Sequence, residues 1–366
     1  MYLDSFLNKH IEFPREAMET PKSYLFAMLL VVIFFLLQGC SSVVYKSAPT
    51  TLNDGKYDSG FPYQSSSKEL ERIGKSIERI NCIVFYKTYI FDSSTRVKVS
   101  DISEGFLEKN VNNIGYFNKT RSGTGTIIYS VNSKIALLTC AHVISFPDTI
   151  YSHFTDEKGK FTEYLESISI RESQLIFVAG LPDGGNVEVL AIDKARDLAI
   201  LGHTYSSFQN VNFPVFPYPK GEAKQLEWGT FVYIFGYPMN YKMVSKAIVS
   251  SPDMDGHGSF LIDAVVNRGF SGGIVLGIRN GVPNFELVGI IRAVPEESEY
   301  VLQPEKLKNN IQYSPLVPYK GDTYAIEKDD LKYGIAKVIP IEKIEEFINE
   351  NKEKLSDLGY NSKYFF

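Results

Sequence analysis

Asn267-Arg268-Gly269-Phe270-Ser271-Gly272-Gly273 decides how the chain is read. Glycines at these offsets allow the positive-φ, close-approach backbone that a Cβ resists. Such a turn aims two N–H groups at one oxygen and sets a hydroxyl beside them, the arrangement of an oxyanion hole with its nucleophile. Glycine-serine strings are also common in linkers. The flanks argue instead for an ordered turn in a sheet. Phe260-Leu-Ile-Asp-Ala-Val-Val266 before it and Ile274-Val-Leu-Gly-Ile278 after it both read as strands.

Working outward, Ala136-Leu-Leu-Thr-Cys-Ala-His142-Val-Ile144 places a histidine just past an apolar strand. Arg196-Asp197-Leu-Ala-Ile-Leu201 places a carboxylate at the head of another. A serine nucleophile needs a base for its proton, and the base needs a third group to fix its tautomer. His142, Asp197 and Ser271 lie too far apart in sequence for local contact, so only a fold that gathers three loops unites them. His10, His153, His203 and His257 lack a comparable setting and read as ordinary hydrogen-bonded residues. Asp183 and Asp193 stand near Asp197 but lack the strand-like run that follows it.

Thr139-Cys-Ala-His142, Asp197-Leu-Ala-Ile-Leu201 and Gly269-Phe-Ser271-Gly-Gly273 together resemble the three signature segments of the trypsin-like serine proteases. Ser122-Gly-Thr-Gly-Thr-Ile-Ile128, Phe231-Val-Tyr-Ile-Phe-Gly-Tyr-Pro238 and the run from Asp263 to Gly273 are similar to segments of the bacterial HtrA/Deg branch, in its order. The resemblance runs from roughly Ile80 to Asn349. It implies an all-β fold: two antiparallel six-stranded β-barrels with a C-terminal helix, in a protease domain over 68–354 and a tail over 355–366. It implies serine endopeptidase catalysis by His142, Asp197 and Ser271, with the N–H groups of Gly269 and Ser271 as oxyanion hole. On the same likeness Arg292, Ala293 and Val294 pair with substrate backbone by strand addition. Val265 would floor the specificity pocket and Val294 would narrow its mouth, favouring small aliphatic side chains.

Two departures from the branch stand out. Arg292 occupies a position where relatives carry a small hydroxyl residue that supports the aspartate, and too few residues follow Ile344 for a PDZ domain. The segments Asp92–Asn118, Phe146–Glu166 and Pro295–Asp330 look like insertions around the active-site face, placed to gate it or bind a partner. A catalytically silent pseudoprotease, acting as a peptide- or protein-binding scaffold, is the alternative reading. An α/β-hydrolase esterase is opposed by the His-Asp-Ser order and the strand-rich pattern.

Composition is that of a globular protein, with 44% apolar and 22% charged residues. A net charge of −5 gives no electrostatic case for nucleic acid; the protease resemblance implies protein or peptide substrates as partners. No Cys-Xaa-Xaa-Cys or histidine cluster suggests a metal, and no cofactor motif is present.

The N-terminus reads separately. Residues 24–37 form an uncharged apolar run, short for a membrane span and suited to a signal-peptide core. Leu37-Gln-Gly-Cys40-Ser-Ser resembles the bacterial lipobox, which implies cleavage before Cys40, acylation of its thiol and a place in the cell envelope, lipid-anchored at the membrane. An uncleaved anchor is the alternative. Residues 1–39 are thus a lipoprotein signal peptide, starting at Met1 or Met18, and 40–67 a flexible tether. Leu70, Ile73, Ile77 and Ile80 recur at helical spacing, predicting a helix over 67–80 capped by Ser67. Ile341, Ile344, Phe347 and Ile348 share a face and predict a C-terminal helix docked on the second barrel. Cys82 and Cys140 are open to two readings, a disulfide or two buried thiols.

Overall fold

Ile77 marks the point where helix gives way to sheet. The helix α1 (Ser67–Gly74) stops three residues earlier than Ile77, and β1 (Ile77–Ile90) begins there. Ile80, Cys82, Val84 and Tyr86 are buried at every second position. Helical spacing over 67–80 was therefore half right. The β-branched residues from Ile77 onward pair on both sides, and that burial outweighs the helical register. Ser67 lies inside the helix; Ser66 takes the cap position without a side-chain cap bond.

The computed structural model describes residues 53–366 apart from 63, 104, 207–212, 294–295, 305–312, 315 and 332–333. Cys40, the apolar run 24–37 and Val294 lie outside the described residues. Among the described residues no helix is long and apolar enough to cross a membrane.

The first barrel is built by β1, β2 (Asn113–Val131), β3 (Lys134–Cys140), β4 (Thr149–Thr155), β5 (Phe161–Val178), β6 (Glu188–Asp193) and β7 (Leu198–Thr204). They form a curled seven-stranded sheet in the order β4-β5-β1-β2-β3-β7-β6. The end of β5 meets the residues just before β6 at a bridge between Phe177 and Asn186, and Val187 N donates to Ile176 O at 3.0 Å. Six strands thus curl round a core, and β4 is an outer extension paired only with β5. The segments read as insertions supply this extension: Asn113–Asn118 lengthens β2, and Thr149–Thr155 is β4 itself. A small second core of Phe91, Val97, Leu165 and Ile168 lies beneath them.

The second barrel is closed by six strands, β8 (Phe231–Gly236), β9 (Met243–Ser251), β10 (Phe260–Ile262), β11 (Ile274–Ile278), β12 (Phe285–Ala293) and β15 (Ala336–Pro340). Between the last two, β13 (Glu296–Pro304) and β14 (Thr323–Leu331) pair as a separate hairpin. All of β8 and all of β11 are buried, as runs of uninterrupted apolar residues demand. The helix after β15 (Ile341–Glu350) buries Ile341, Ile344, Phe347 and Ile348, as the periodicity predicts.

Residues 54–58, read by composition as part of the tether, are pinned to this barrel. Asp58 N donates to Ile278 O at 2.8 Å, and Phe231 N donates to Asp58 O at 2.9 Å. The Tyr57 hydroxyl donates to Glu286 Oε2 at 2.6 Å beneath the Arg279 guanidinium. The two thiols are separate: Cys82 and Cys140 are both free and buried.

Candidate active site

The three expected residues come from three strand ends. β3 runs into a single helical turn (Ala141–Ile144) that carries His142. Asp197 immediately precedes β7, with φ at +61°. The preceding hairpin fixes that backbone: Asp193 Oδ1 accepts from Ala195 N and Arg196 N at 2.9 Å. Asp197 is 6% exposed and makes three contacts with its two oxygens. Oδ1 accepts the His142 backbone N–H at 2.8 Å, and Oδ2 faces His142 Nδ1 at 2.8 Å. Arg292 Nε lies 3.4 Å from the same Oδ2. The carboxylate therefore fixes both the position of the histidine and the plane of its ring, leaving Nε2 as the ring nitrogen for a substrate-side proton.

Ser271 sits on the turn between β10 and β11, and its backbone is stitched to the first barrel. Thr124 N donates to Ser271 O at 2.8 Å, and the Thr124 hydroxyl donates to Gly269 O at 2.6 Å. That hydroxyl also accepts from Tyr237 N at 2.9 Å. Thr139 Oγ1 in turn donates to Thr124 O at 2.8 Å. Gly269 has φ at +106° and Gly272 at +84°, conformations that favour glycine. A Cβ at Gly269 would collide with the Tyr237 carbonyl, and one at Gly272 with the Thr124 carbonyl. Val143 and the Ser271 carbonyl both lie within 3.0 Å of where a Gly123 Cβ would sit, so serine turn and histidine turn abut.

The peptide N–H groups of this turn divide cleanly. Phe270 N donates to Asn267 O, Gly272 N to Ile291 O and Gly273 N to Phe270 O. Gly269 N and Ser271 N have no acceptor among the described residues, which leaves two neighbouring donors unused beside the serine. An acyl oxygen developing negative charge is what such donors hold. Among the described residues no hydrogen bond joins Ser271 Oγ to His142. Phe270 is 2% exposed and packs against Gly236, so it belongs to the core and does not occlude the cleft.

Cys140 completes the cluster from behind. Its Sγ, a His142 ring nitrogen and an Asp197 oxygen lie within 4.8 Å of one another, close enough to be weighed as metal ligands. The thiol instead donates to Ile291 O at 3.2 Å. Burial pushes its pKa well above the usual thiol value, and the Asp197 charge adds to that, so it stays protonated. Hydrogen bonding accounts for each atom of the group without an ion.

Val265 departs from expectation. It is 72% exposed while Ala264 and Val266 are buried, so strand-like alternation turns it to solvent and not to the floor of a pocket. Arg292 and Ala293 end β12, directly after the Gly272 N to Ile291 O bond, which places them at the serine turn. Thr124, Thr139 and Arg121 were not singled out as site residues from sequence. The Thr124 signal was present in the Ser122-Gly-Thr-Gly-Thr string, but its hydroxyl bond to Gly269 crosses between barrels and has no local signature.

A double β-barrel with these three residues at the junction of its halves is a trypsin-like fold. The model of the Trypsin-like peptidase domain family matches residues 123–290. Among solved structures, the HtrA-type protease AlgW with tripeptide is similar at 16% identity and a TM-score of 0.39, over 79% of this chain and 64% of that one. A serine endoprotease from Yersinia pestis is similar at 17% identity and a TM-score of 0.37, over 80% of this chain and 67% of that one. Deg5 is similar at 14% identity and a TM-score of 0.34, over 63% of this chain and 87% of that one. The chain spans 64% of the length of the first such structures, and no curated protein matches its sequence.

Proposed function

We propose that the protein is a serine endopeptidase. Ser271 Oγ attacks a peptide carbonyl as His142 Nε2 takes its proton, and Asp197 stabilises the imidazolium that forms. The N–H groups of Gly269 and Ser271 hold the oxyanion. The imidazolium then protonates the leaving amine, and water hydrolyses the acyl-enzyme with the roles reversed. The observation that carries this reading is the pairing of a buried carboxylate with His142 Nδ1 at 2.8 Å, beside a serine turn with two uncommitted donors.

The silent-scaffold reading draws on the missing bond between Ser271 Oγ and the ring, although such bonds often tighten only once substrate is bound. A fluorophosphonate probe separates the two. Covalent labelling at Ser271, abolished in Ser271→Ala together with a fall in peptide hydrolysis of about 10⁴-fold or more, supports the enzyme. An unlabelled wild-type protein, or a Ser271→Ala variant that still cleaves, overturns it.

For the N-terminus we propose acylation at Cys40 and retention in the bacterial envelope, on the lipobox-like Leu37-Gln-Gly-Cys40 alone. Metabolic labelling with a palmitate analogue tests it. Label lost in Cys40→Ser supports the anchor; label absent from wild type removes it.

A further inference from the structure

Two guanidinium groups flank His142. Arg292 reaches the carboxylate that holds the ring, with Nε 3.4 Å from Asp197 Oδ2. Arg121, on β2, donates through one terminal nitrogen to His142 O at 2.7 Å and Ser145 O at 2.8 Å, and lies over the Phe146 ring.

With Asp197 set against Arg292, the charge of Arg121 is left over, because its acceptors are neutral carbonyls and no carboxylate pairs with it among the described residues.

Arg292 differs from a group that merely braces the aspartate. Its side chain is 48% exposed, whereas the Asp197 side chain is 8% exposed. A guanidinium offers five N–H donors in a planar fork matched to a carboxylate. Nε faces Asp197, and nearly half of the side chain stays open to solvent, 48% by area. The backbone sets what that open part meets. Gly272 N donates to Ile291 O, so position 292 is the first on β12 past the serine turn. A substrate strand laid along 292–293 brings its residues just before the scissile bond beside this side chain.

We propose that Arg292, with Arg121 as a second cation near His142, selects peptides carrying an acidic side chain within two residues of the scissile bond. The inference rests on the peptidase reading for what is cut, but its recognition step is separable. An exposed or half-exposed ion pair is worth little singly, so the preference is modest and falls with salt.

The test uses two pools of decapeptides with aliphatic residues randomised at the centre, one carrying Glu and the other Gln at the flanking positions. Binding to the full-length Ser271→Ala protein is read by fluorescence anisotropy, which needs no turnover. The Glu pool is expected to bind about fivefold more tightly at low ionic strength and to lose that margin near 0.5 M salt. Arg292→Gln in that background should collapse the ratio of the two affinities, and Arg292→Glu should reverse it. Where Arg292 variants disturb the fold, Arg121→Gln is expected to reduce the same ratio about twofold. Equal binding of the two pools by the Ser271→Ala protein, or a ratio unmoved by all three substitutions, overturns the proposal. Fluorophosphonate labelling of wild type at Ser271 reports on the peptidase reading independently, so either can fail alone.

Discussion

The two barrels supply their halves of the site by different kinds of bond. The first barrel contributes charged and ionisable side chains that hold one another: Asp197 grips His142 through both carboxylate oxygens, and Asp193 grips the turn that precedes Asp197. The second contributes backbone. Its turn is fixed through carbonyls, by Thr124 and by Ile291, so that two N–H groups stay unused. One half is therefore sensitive to replacing a functional group at constant shape, the other to adding a single carbon at constant chemistry.

Asp197→Asn breaks the first half with no change of volume. The amide can no longer accept from both the His142 backbone and Nδ1–H, and the ring shifts to the wrong tautomer. Peptide hydrolysis should fall about 10⁴-fold with little change in melting temperature. A variant within tenfold of wild type would mean that the 2.8 Å contact is structural only.

Gly269→Ala attacks the second half. At φ +106° and against the Tyr237 carbonyl, the added methyl must rotate the peptide that presents the Gly269 N–H. Loss of one oxyanion donor costs about 10²–10³-fold in kcat. Labelling by fluorophosphonate should slow in parallel, because that probe also builds negative charge on an oxygen in the hole. Unchanged kcat would place the oxyanion elsewhere.

Thr124→Val asks whether the two halves are coupled. Valine keeps the shape but strands the Gly269 carbonyl and the Tyr237 N–H, both bonded to the hydroxyl at 2.6 and 2.9 Å. A fall in kcat of about tenfold is expected, from roughly one lost hydrogen bond transmitted to the turn. Thr124→Ser restores the hydroxyl and should restore the rate. Equal effects of valine and serine would show that packing, not the bond, is what matters.

What was legible in the sequence follows the same division. His142, Asp197 and Ser271 could be picked out because each sits in a short local string next to a strand, and the runs on either side of the serine turn, which hold β10 and β11, read as strands. Residues 77–80 misled because isoleucines spaced three and four apart fit a helix and a strand end alike, and only pairing with β2 and β5 decides. Val265 misled because a position counted from the serine fixes sequence distance and not the side to which an alternating segment turns its side chains. Thr124 was silent because its partners, Ser271, Gly269 and Tyr237, lie in the other barrel.

The smallest effect concerns the support beneath Asp197. Asp193 accepts backbone bonds from Arg196 and Ala195 and a side-chain bond from Arg196 Nε at 2.6 Å, and Arg196 reaches on to Glu350 of the C-terminal helix. The backbone N–H of Arg196 is the main cause holding the Asp193 carboxyl below its usual pKa. A depressed carboxyl stabilises the fold above its unfolded value, about 3.9, and that contribution is lost as pH falls through the folded value. Asp193→Ala should therefore lower the melting temperature by about 2–4 °C at pH 7, for roughly 1 kcal/mol after discounting its partial exposure. As pH falls below the unfolded value the gap between variant and wild type should narrow, because the unfolded carboxyl then takes up protons that the folded one resists. A gap that stays constant from pH 7 to pH 3 would assign the effect to turn geometry and not to the charge. The first barrel would then hold Asp197 by shape, as the second holds Ser271.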